Sequence, residues 1–358
     1  MISFIKQLNW KLILPVLFLA LMGFLSFLST KPDLFYKQFF WYLAGFVAIF
    51  FIIRFDWRPY INYRGAIFGI YFFSIFLLVL TYFVAPSIRG VRSWLPLGPI
   101  QFQSSELLKL ALIILYAYFF SRKHLAIARV SNLIASFIYF FLPVVLIALQ
   151  PDLGSALVVF FLWFGFLLVS GIRWRHLVGA FLIFIVLGAF LWTSVLRDYQ
   201  KERILGVFFP ERDPLGISYN VIQSKITIGS AGFFGKGFNQ GTQLQLGFLP
   251  EAQTDFVFAA IIEEWGLIAG FLIITAFTLM VFEITKIGLY SENNFNRFIC
   301  LGSVMLFSSQ FILNVGSNLG LTPVIGVTFP FLSYGGSSLL INLALIGIIQ
   351  SIDLRRSA

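Results

Sequence analysis

Residues 248–266 read FLPEAQTDFVFAAIIEEWG. A polar, turn-forming stretch ends at Asp255, and the apolar run that opens with Phe256 continues to residue 284 with Glu263 and Glu264 inside it. At 1.5 Å per residue such a run crosses a hydrocarbon core of about 30 Å as a helix. No water is available there to bond the backbone, so a run that crosses alone must satisfy its own N–H and C=O groups as a helix. Working outward, nine more such runs appear, near residues 12–29, 38–54, 66–85, 105–120, 132–149, 154–171, 177–196, 297–315 and 336–352. The pattern predicts an all-α polytopic membrane protein of about ten transmembrane helices, residues 1–358 forming one integral membrane domain.

Composition agrees. Of 358 residues 59% are hydrophobic and only 11% charged, against about 25% charged in soluble domains. With the N-terminus inside, the inner loops hold Arg54, Arg58, Arg64, Arg122, Lys123, Arg129, Arg173 and Arg175, and the short outer loops only Lys31, Lys37, Arg89 and Arg92. This bias places both termini in the cytoplasm. It also accounts for most of the net charge of +10, so anionic lipid rather than nucleic acid is the expected counterpart. The first apolar run is as long as the others and lacks a small-residue cleavage site, and reads as the first span. The single cysteine, Cys300, leaves no internal disulfide and no cysteine metal cluster.

One large outer loop, residues 197–255 between spans seven and eight, is far longer than the usual connection and carries several cations, among them Lys225 and Lys236. Its glycines at 229, 232, 235, 237 and 241 predict a mobile segment that folds over a substrate. GFFGKG, residues 232–237, is not a phosphate-binding loop, because Ser230 stands where GxxxxGK[ST] needs its first glycine and Gly237 where it needs a hydroxyl. Two shorter outer segments, 86–109 and 314–338, are also broken by glycine and proline, and such backbone needs protein or a water-filled cavity around it.

Candidate residues each have two readings. Asp255 either offsets the dipole of the helix it starts, worth about 0.3–1 kcal/mol, or serves as a base. Glu263 and Glu264, some 12–13 Å deeper in a straight helix, either pack and pair or carry a proton or ion. Glu106 and Lys109, three apart, share a helix face as an ion pair or line a polar cavity in which Lys109 meets phosphate. Asp152 in QPDLGS caps the next helix or belongs to a substrate site. His124 and His176 fall on the inner side, so acid-base chemistry outside must use carboxylates. C-x-x-C, H-E-x-x-H and G-x-S-x-G are all missing, which excludes thiol redox, zincin and nucleophile-elbow chemistry.

GVRSWLPLGPIQFQSSELLKLALI, QPDLGSALV, SYNVIQSKITIGSAGFFGKGFNQGTQ, FLPEAQTDFVFAAIIEEWG and GLTPVIGVTFPFLSYGGSSL follow one another in the chain. Together they resemble, in order, the motifs of the SEDS family (shape, elongation, division and sporulation), and within it the RodA-like peptidoglycan polymerases. Gln253 stands where that family usually has histidine, and Asn220 where it usually has glutamine. The resemblance implies an inverting glycosyltransferase that polymerises lipid II, an undecaprenyl-pyrophosphate-linked disaccharide-pentapeptide, at the outer face of the bacterial cytoplasmic membrane. It implies a class B penicillin-binding protein and other elongation-complex membrane proteins as partners, and Asp255 as the essential acid.

On that reading Asp255 takes the proton of an acceptor hydroxyl. Positive charge near the leaving pyrophosphate is expected from Lys109, Arg92, Lys225 or Lys236, with a carboxylate-held divalent cation as the alternative source and no other cofactor. The short N-terminal tail leans toward an elongation role over division or sporulation. A lipid II flippase, motivated by Glu106, Lys109, Glu263 and Glu264, and a recruiting scaffold are the competing expectations. A flippase needs charge deep in a through-path, whereas a polymerase needs it at the level of the outer sugars.

Overall fold

The computed structural model describes residues 8–55, 63–88, 90–98, 100–123, 130–171, 174–194, 198–209, 213, 216 and 218–356. Ten long helices coincide with the ten apolar runs. They are α1 (Trp10–Thr30), α2 (Pro32–Arg54), α3 (Arg64–Val84), α4 (Ser104–Lys123), α5 (Val130–Leu149), α6 (Leu153–Val169), α7 (Trp174–Ser194), α11 (Val257–Leu289), α12 (Asn294–Leu319) and α13 (Gly336–Arg356). Among the described residues eight helices are long and apolar enough to cross a membrane, and α6, at 17 residues, is a shorter apolar helix. The chain is a multi-pass membrane protein. His124, Arg89 and Arg129 lie outside the described residues.

Local chemistry sets the helix ends. The Asn9 side chain accepts from Lys11 N at 3.1 Å to start α1, Pro32 opens α2, and Gly320 ends α12 in the left-handed conformation. α4, α12 and α13 are the most enclosed helices, whereas α2 and α3 turn Phe39, Phe40, Phe51, Phe72, Phe73 and Phe83 outward. Aromatic surface of that extent, costly in water, is at home in lipid. Both ends of the described chain lie together, because Asn9 N donates to Gln350 Oε1 at 3.1 Å and Asn9 Nδ2 to Asp353 Oδ2 at 2.8 Å.

The fold departs from the expected all-helical pattern in the 86–109 segment, where β1 (Trp94–Leu97) and β2 (Ile100–Gln103) form a small antiparallel hairpin in front of α4. The large outer loop contains α8 (Asp198–Phe208), α9 (Tyr219–Gly229) and a single turn, α10 (Thr242–Gln245). α9 packs on α11 and α12, and Ser224 Oγ donates to Asn318 O at 2.8 Å.

The eighth span is not one straight helix. Gly266, with φ 80° and ψ 177°, breaks α11 into a short outer half-helix, 257–265, and a long inner part. The GFFGKG segment enters this break. Lys236 N donates to Glu263 O at 2.8 Å and Gly237 N to Glu264 O at 3.0 Å, while Leu267 N donates to Gly232 O at 3.1 Å. These bonds replace the helical ones that the break removes. A Cβ on Gly266 would fall on Phe233 O and Gly235 N, and one on Gly235 on the Glu264 carbonyl, so neither position has room for a side chain.

Two expectations change. The glycine-rich stretch is tied into α11 by backbone bonds where a mobile flap was expected, and Gly235 serves its close approach to the broken helix. Residues 267–289 are by themselves ~35 Å long, enough for the hydrocarbon core. Glu263 and Glu264 belong to the short half-helix ahead of the break, not to this long inner part. Replacing Gly266 by alanine combines backbone strain of about 1–3 kcal/mol with a direct clash, and a clearly lowered melting temperature in detergent is expected. Gly229→Ala, at the end of α9 where a Cβ meets nothing within 4 Å, is the control and should leave melting unchanged. Equal melting of the two variants would remove the docking role of Gly266.

Candidate active site

Asp255 lies on a tight turn between the outer loop and the half-helix. Glu251 adopts φ 53°, which lets its carbonyl accept from Thr254 N at 3.1 Å and Phe256 N at 3.2 Å. On one side the turn buries Leu249, Ala252, Phe256, Ala259 and Ala260 against Ile228, Leu244 and Val324. On the other it is bonded to the irregular segment 321–335. Ser333 Oγ donates to Thr254 O at 2.6 Å, and Tyr334 N donates to Gln253 O at 2.9 Å. The Asp255 carbonyl accepts from Asn314 Nδ2 at 3.1 Å and Asn318 Nδ2 at 2.8 Å. The residue as a whole is half-buried, and these backbone bonds fix its place.

Segment 321–335 is the common partner of the site. Asn314 Nδ2 donates to Val327 O at 2.9 Å, Tyr42 Oη to Phe331 O at 2.5 Å, and Gln38 Nε2 to Ser333 O at 3.3 Å. Thr328 Oγ1 and Ser338 Oγ are 3.1 Å apart. Gly154, at the start of α6, packs against the Ile325 carbonyl too closely for a Cβ, and Gly23 of α1 does the same at Leu332. Polar side chains from α2 and α12 thus satisfy irregular backbone that could not survive in lipid. Burial raises the Tyr334 phenol above its ordinary pKa, so it is a neutral hydroxyl at physiological pH.

Glu106 and Lys109 form the expected ion pair, Lys109 Nζ to Glu106 Oε1 at 2.7 Å, and both are more than 95% buried. Glu106 Oε2 is also buried and has no hydrogen-bond partner among the described residues. Asp152 caps α6, accepting from Ser155 N at 3.0 Å and Ser155 Oγ at 2.8 Å, and it also takes Gln103 Nε2 at 3.0 Å. The same carboxylate thus caps α6 and anchors the β-hairpin to it. Arg92 is exposed on the approach to that hairpin, its N donating to Gln150 O at 3.3 Å. Asp152 is thus bonded to Gln103, just ahead of the α4 turn that carries Glu106 and Lys109, and the Arg92 backbone is bonded to Gln150, two residues before Asp152.

The two loop lysines differ. Lys225 is exposed and lies across Gly320 at the C-terminus of α12, its Nζ 2.6 Å from where a Cβ would stand. It offsets the negative end of a 26-residue helix at the same end where Asn318 holds Asp255. Lys236 is instead paired with buried Glu263 at 2.7 Å and bonded to Thr242 Oγ1 at 2.7 Å. Glu263 further accepts from Gln243 N at 2.9 Å and Leu244 N at 3.1 Å, and Glu264 accepts from Asn239 N at 3.2 Å and from Ser29 Oγ. Both acids thus organise the loop around the broken helix. Among the described residues no three His, Cys, Asp or Glu side chains converge on a metal site.

Asn314, Asn318, Gln38, Tyr42 and Ser333 were not picked out from sequence. The one available signal was the polar spacing of Ser309, Gln310, Asn314, Ser317 and Asn318 inside an apolar helix, which marks a buried polar face without saying what it meets.

The comparisons with known proteins agree along the whole length. The FTSW_RODA_SPOVE family model, described as a cell cycle protein, matches residues 3–358. Over 300 residues the chain is 36% identical to the peptidoglycan glycosyltransferase MrdB of Escherichia coli (strain K12), covering 84% of this chain and 78% of that protein. It is 34% identical over 329 residues to stage V sporulation protein E of Bacillus subtilis (strain 168), covering 92% and 87%. A chain solved in a study of polymerization and crosslinking by a peptidoglycan synthase complex superposes with TM-score 0.83 at 34% identity over 98% of both chains. The rod shape determining protein RodA of Thermus thermophilus superposes with TM-score 0.74 at 29% identity, again over 98% of each. By model, relatives and structure alike, the chain belongs to the FtsW, RodA and SpoVE family of cell cycle proteins.

Proposed function

We propose that this chain is a peptidoglycan glycosyltransferase that polymerises lipid II at the outer face of the bacterial cytoplasmic membrane, in cell-wall elongation, beside a penicillin-binding transpeptidase. The observation that carries it is Asp255, a half-buried carboxylate held by its backbone at the outer end of a span. A polyprenyl tail stays in lipid, so the sugars it carries react just outside the membrane. There a fixed carboxylate takes the proton from an acceptor hydroxyl as the oxygen attacks the donor's anomeric carbon. The C–O bond to pyrophosphate breaks in the same step, and one displacement with inversion converts an α-linked donor to a β-linked glycan.

The leaving pyrophosphate calls for positive charge. Lys225 shares the α12 end with Asp255, Lys109 is paired with Glu106 at the start of α4, Arg92 is exposed ahead of the hairpin, and the charge of Lys236 is already matched by Glu263. A divalent cation remains the alternative counter-charge, with no step assigned to it. Against the flippase reading, Glu263 and Glu264 are engaged in holding the loop.

Purified protein incubated with lipid II should yield glycan strands longer than a dimer on a gel, and an unreacted substrate under conditions where a related polymerase works would overturn the proposal. Lys225→Glu is expected to raise the half-saturating lipid II concentration several-fold without changing membrane insertion, since loss of the helix-end charge costs only about 0.3–1 kcal/mol. An unchanged titration would leave Lys225 as a helix cap alone.

A further inference from the structure

The outer half of α11 should not be well ordered on its own. A helix shorter than about 12 residues is marginal in isolation, and residues 257–265 end at a glycine in a conformation that stops the helix. Its first turn has no side-chain cap from its own segment. The missing cap comes from another helix. Asn318 Oδ1 accepts from Ala259 N at 3.1 Å, the bond that a capping asparagine would make to the third residue of its own helix. The same side chain donates Nδ2 to Asp255 O at 2.8 Å. One planar amide therefore spans the residue that carries the carboxylate and the turn that follows it.

Asn314, one turn earlier on α12, repeats the contact. Its Nδ2 donates to Asp255 O at 3.1 Å and to Val327 O at 2.9 Å, and the remaining Asn318 Nδ2 hydrogen goes to Asn314 O at 2.8 Å. Both hydrogens of each amide are used, and both residues are at least 99% buried. Buried amides with every donor bonded have one orientation, since any rotation leaves a polar group without a partner. The object so fixed is the peptide that begins at Asp255.

Resting on the polymerase reading above, we infer that Asn318, seconded by Asn314, is a positioning residue for Asp255. It touches no reacting atom. It caps the half-helix from α12 and so sets where the carboxylate stands relative to the acceptor hydroxyl. A misplacement of about 1 Å at such a group costs on the order of 10²-fold in rate.

The test uses the purified full-length protein with lipid II, reading initial rate against substrate concentration per folded molecule. Asn318→Ala is expected to lower kcat about 10- to 100-fold with half-saturation within about 2-fold. Asn314→Ala, which leaves the shorter bond in place, should lower kcat less. Added to Asp255→Asn, Asn318→Ala should cause no further loss, because nothing is left to position. Hydrogen exchange at the Ala259 amide should quicken in Asn318→Ala, a reading of the cap that does not depend on turnover.

A kcat unchanged in Asn318→Ala, a loss that multiplies with that of Asp255→Asn, or an Ala259 amide still protected would overturn the inference. Should Asn318→Ala not fold, Asn314→Ala decides in the same way, by kcat at constant half-saturation. Failure of the wild-type protein to polymerise would instead count against the proposed function, and the exchange measurement would still judge the cap.

Discussion

Asp255→Asn is expected to fold, insert and bind lipid II as the wild type does, and to lose glycan polymerisation by about 10²- to 10⁴-fold, the usual contribution of a positioned base. The substitution is nearly isosteric. The carbonyl of residue 255 accepts from Asn314 and Asn318, and an amide side chain leaves those two bonds in place. What disappears is the ability to accept a proton. Separate measurement of lipid II binding and strand synthesis distinguishes this from a folding defect. Near-normal synthesis by the variant would remove Asp255 from the mechanism, whatever else the family resemblance implies.

The second large effect is expected at Glu106 and Lys109. Each single alanine variant leaves its partner as a buried, uncompensated charge, which costs about 3–5 kcal/mol. Lys109→Ala should be the worse case, since Glu106 already has one buried oxygen without a partner. Both variants should show reduced folded yield and reduced activity. The double variant Glu106→Gln/Lys109→Met, which removes both charges but keeps the volume, should recover most of the lost stability. Recovered stability without recovered polymerisation would assign the pair to the site, whereas recovery of both would make it structural. Independent, multiplying losses in the two singles and the double would contradict the coupling that a 2.7 Å contact demands.

The parts of the fold that follow from local spacing could be read before any coordinates. Apolar runs of bilayer length became helices because the membrane leaves isolated backbone no other way to bond itself. Glu106 and Lys109 pair because residues three apart share a helix face, and Asp152 caps α6 because a carboxylate ahead of a helix meets its free N–H groups. The break at Gly266 was hidden, since glycine is common inside membrane helices and the apolar pattern runs through it without a gap.

The sequence by itself determined the class of the protein, the helices, the turn that carries Asp255 and, through ordered motifs, the family. All of these depend on residues close together in the chain or on their order. Only the tertiary structure decided that Lys236 answers Glu263 and is not a free cation, that GFFGKG fills the broken helix, and that Asn314 and Asn318 hold Asp255 from 59 and 63 residues away. A buried polar group must find a partner, but its spacing in sequence does not name one. The choice is made by which helices pack side by side.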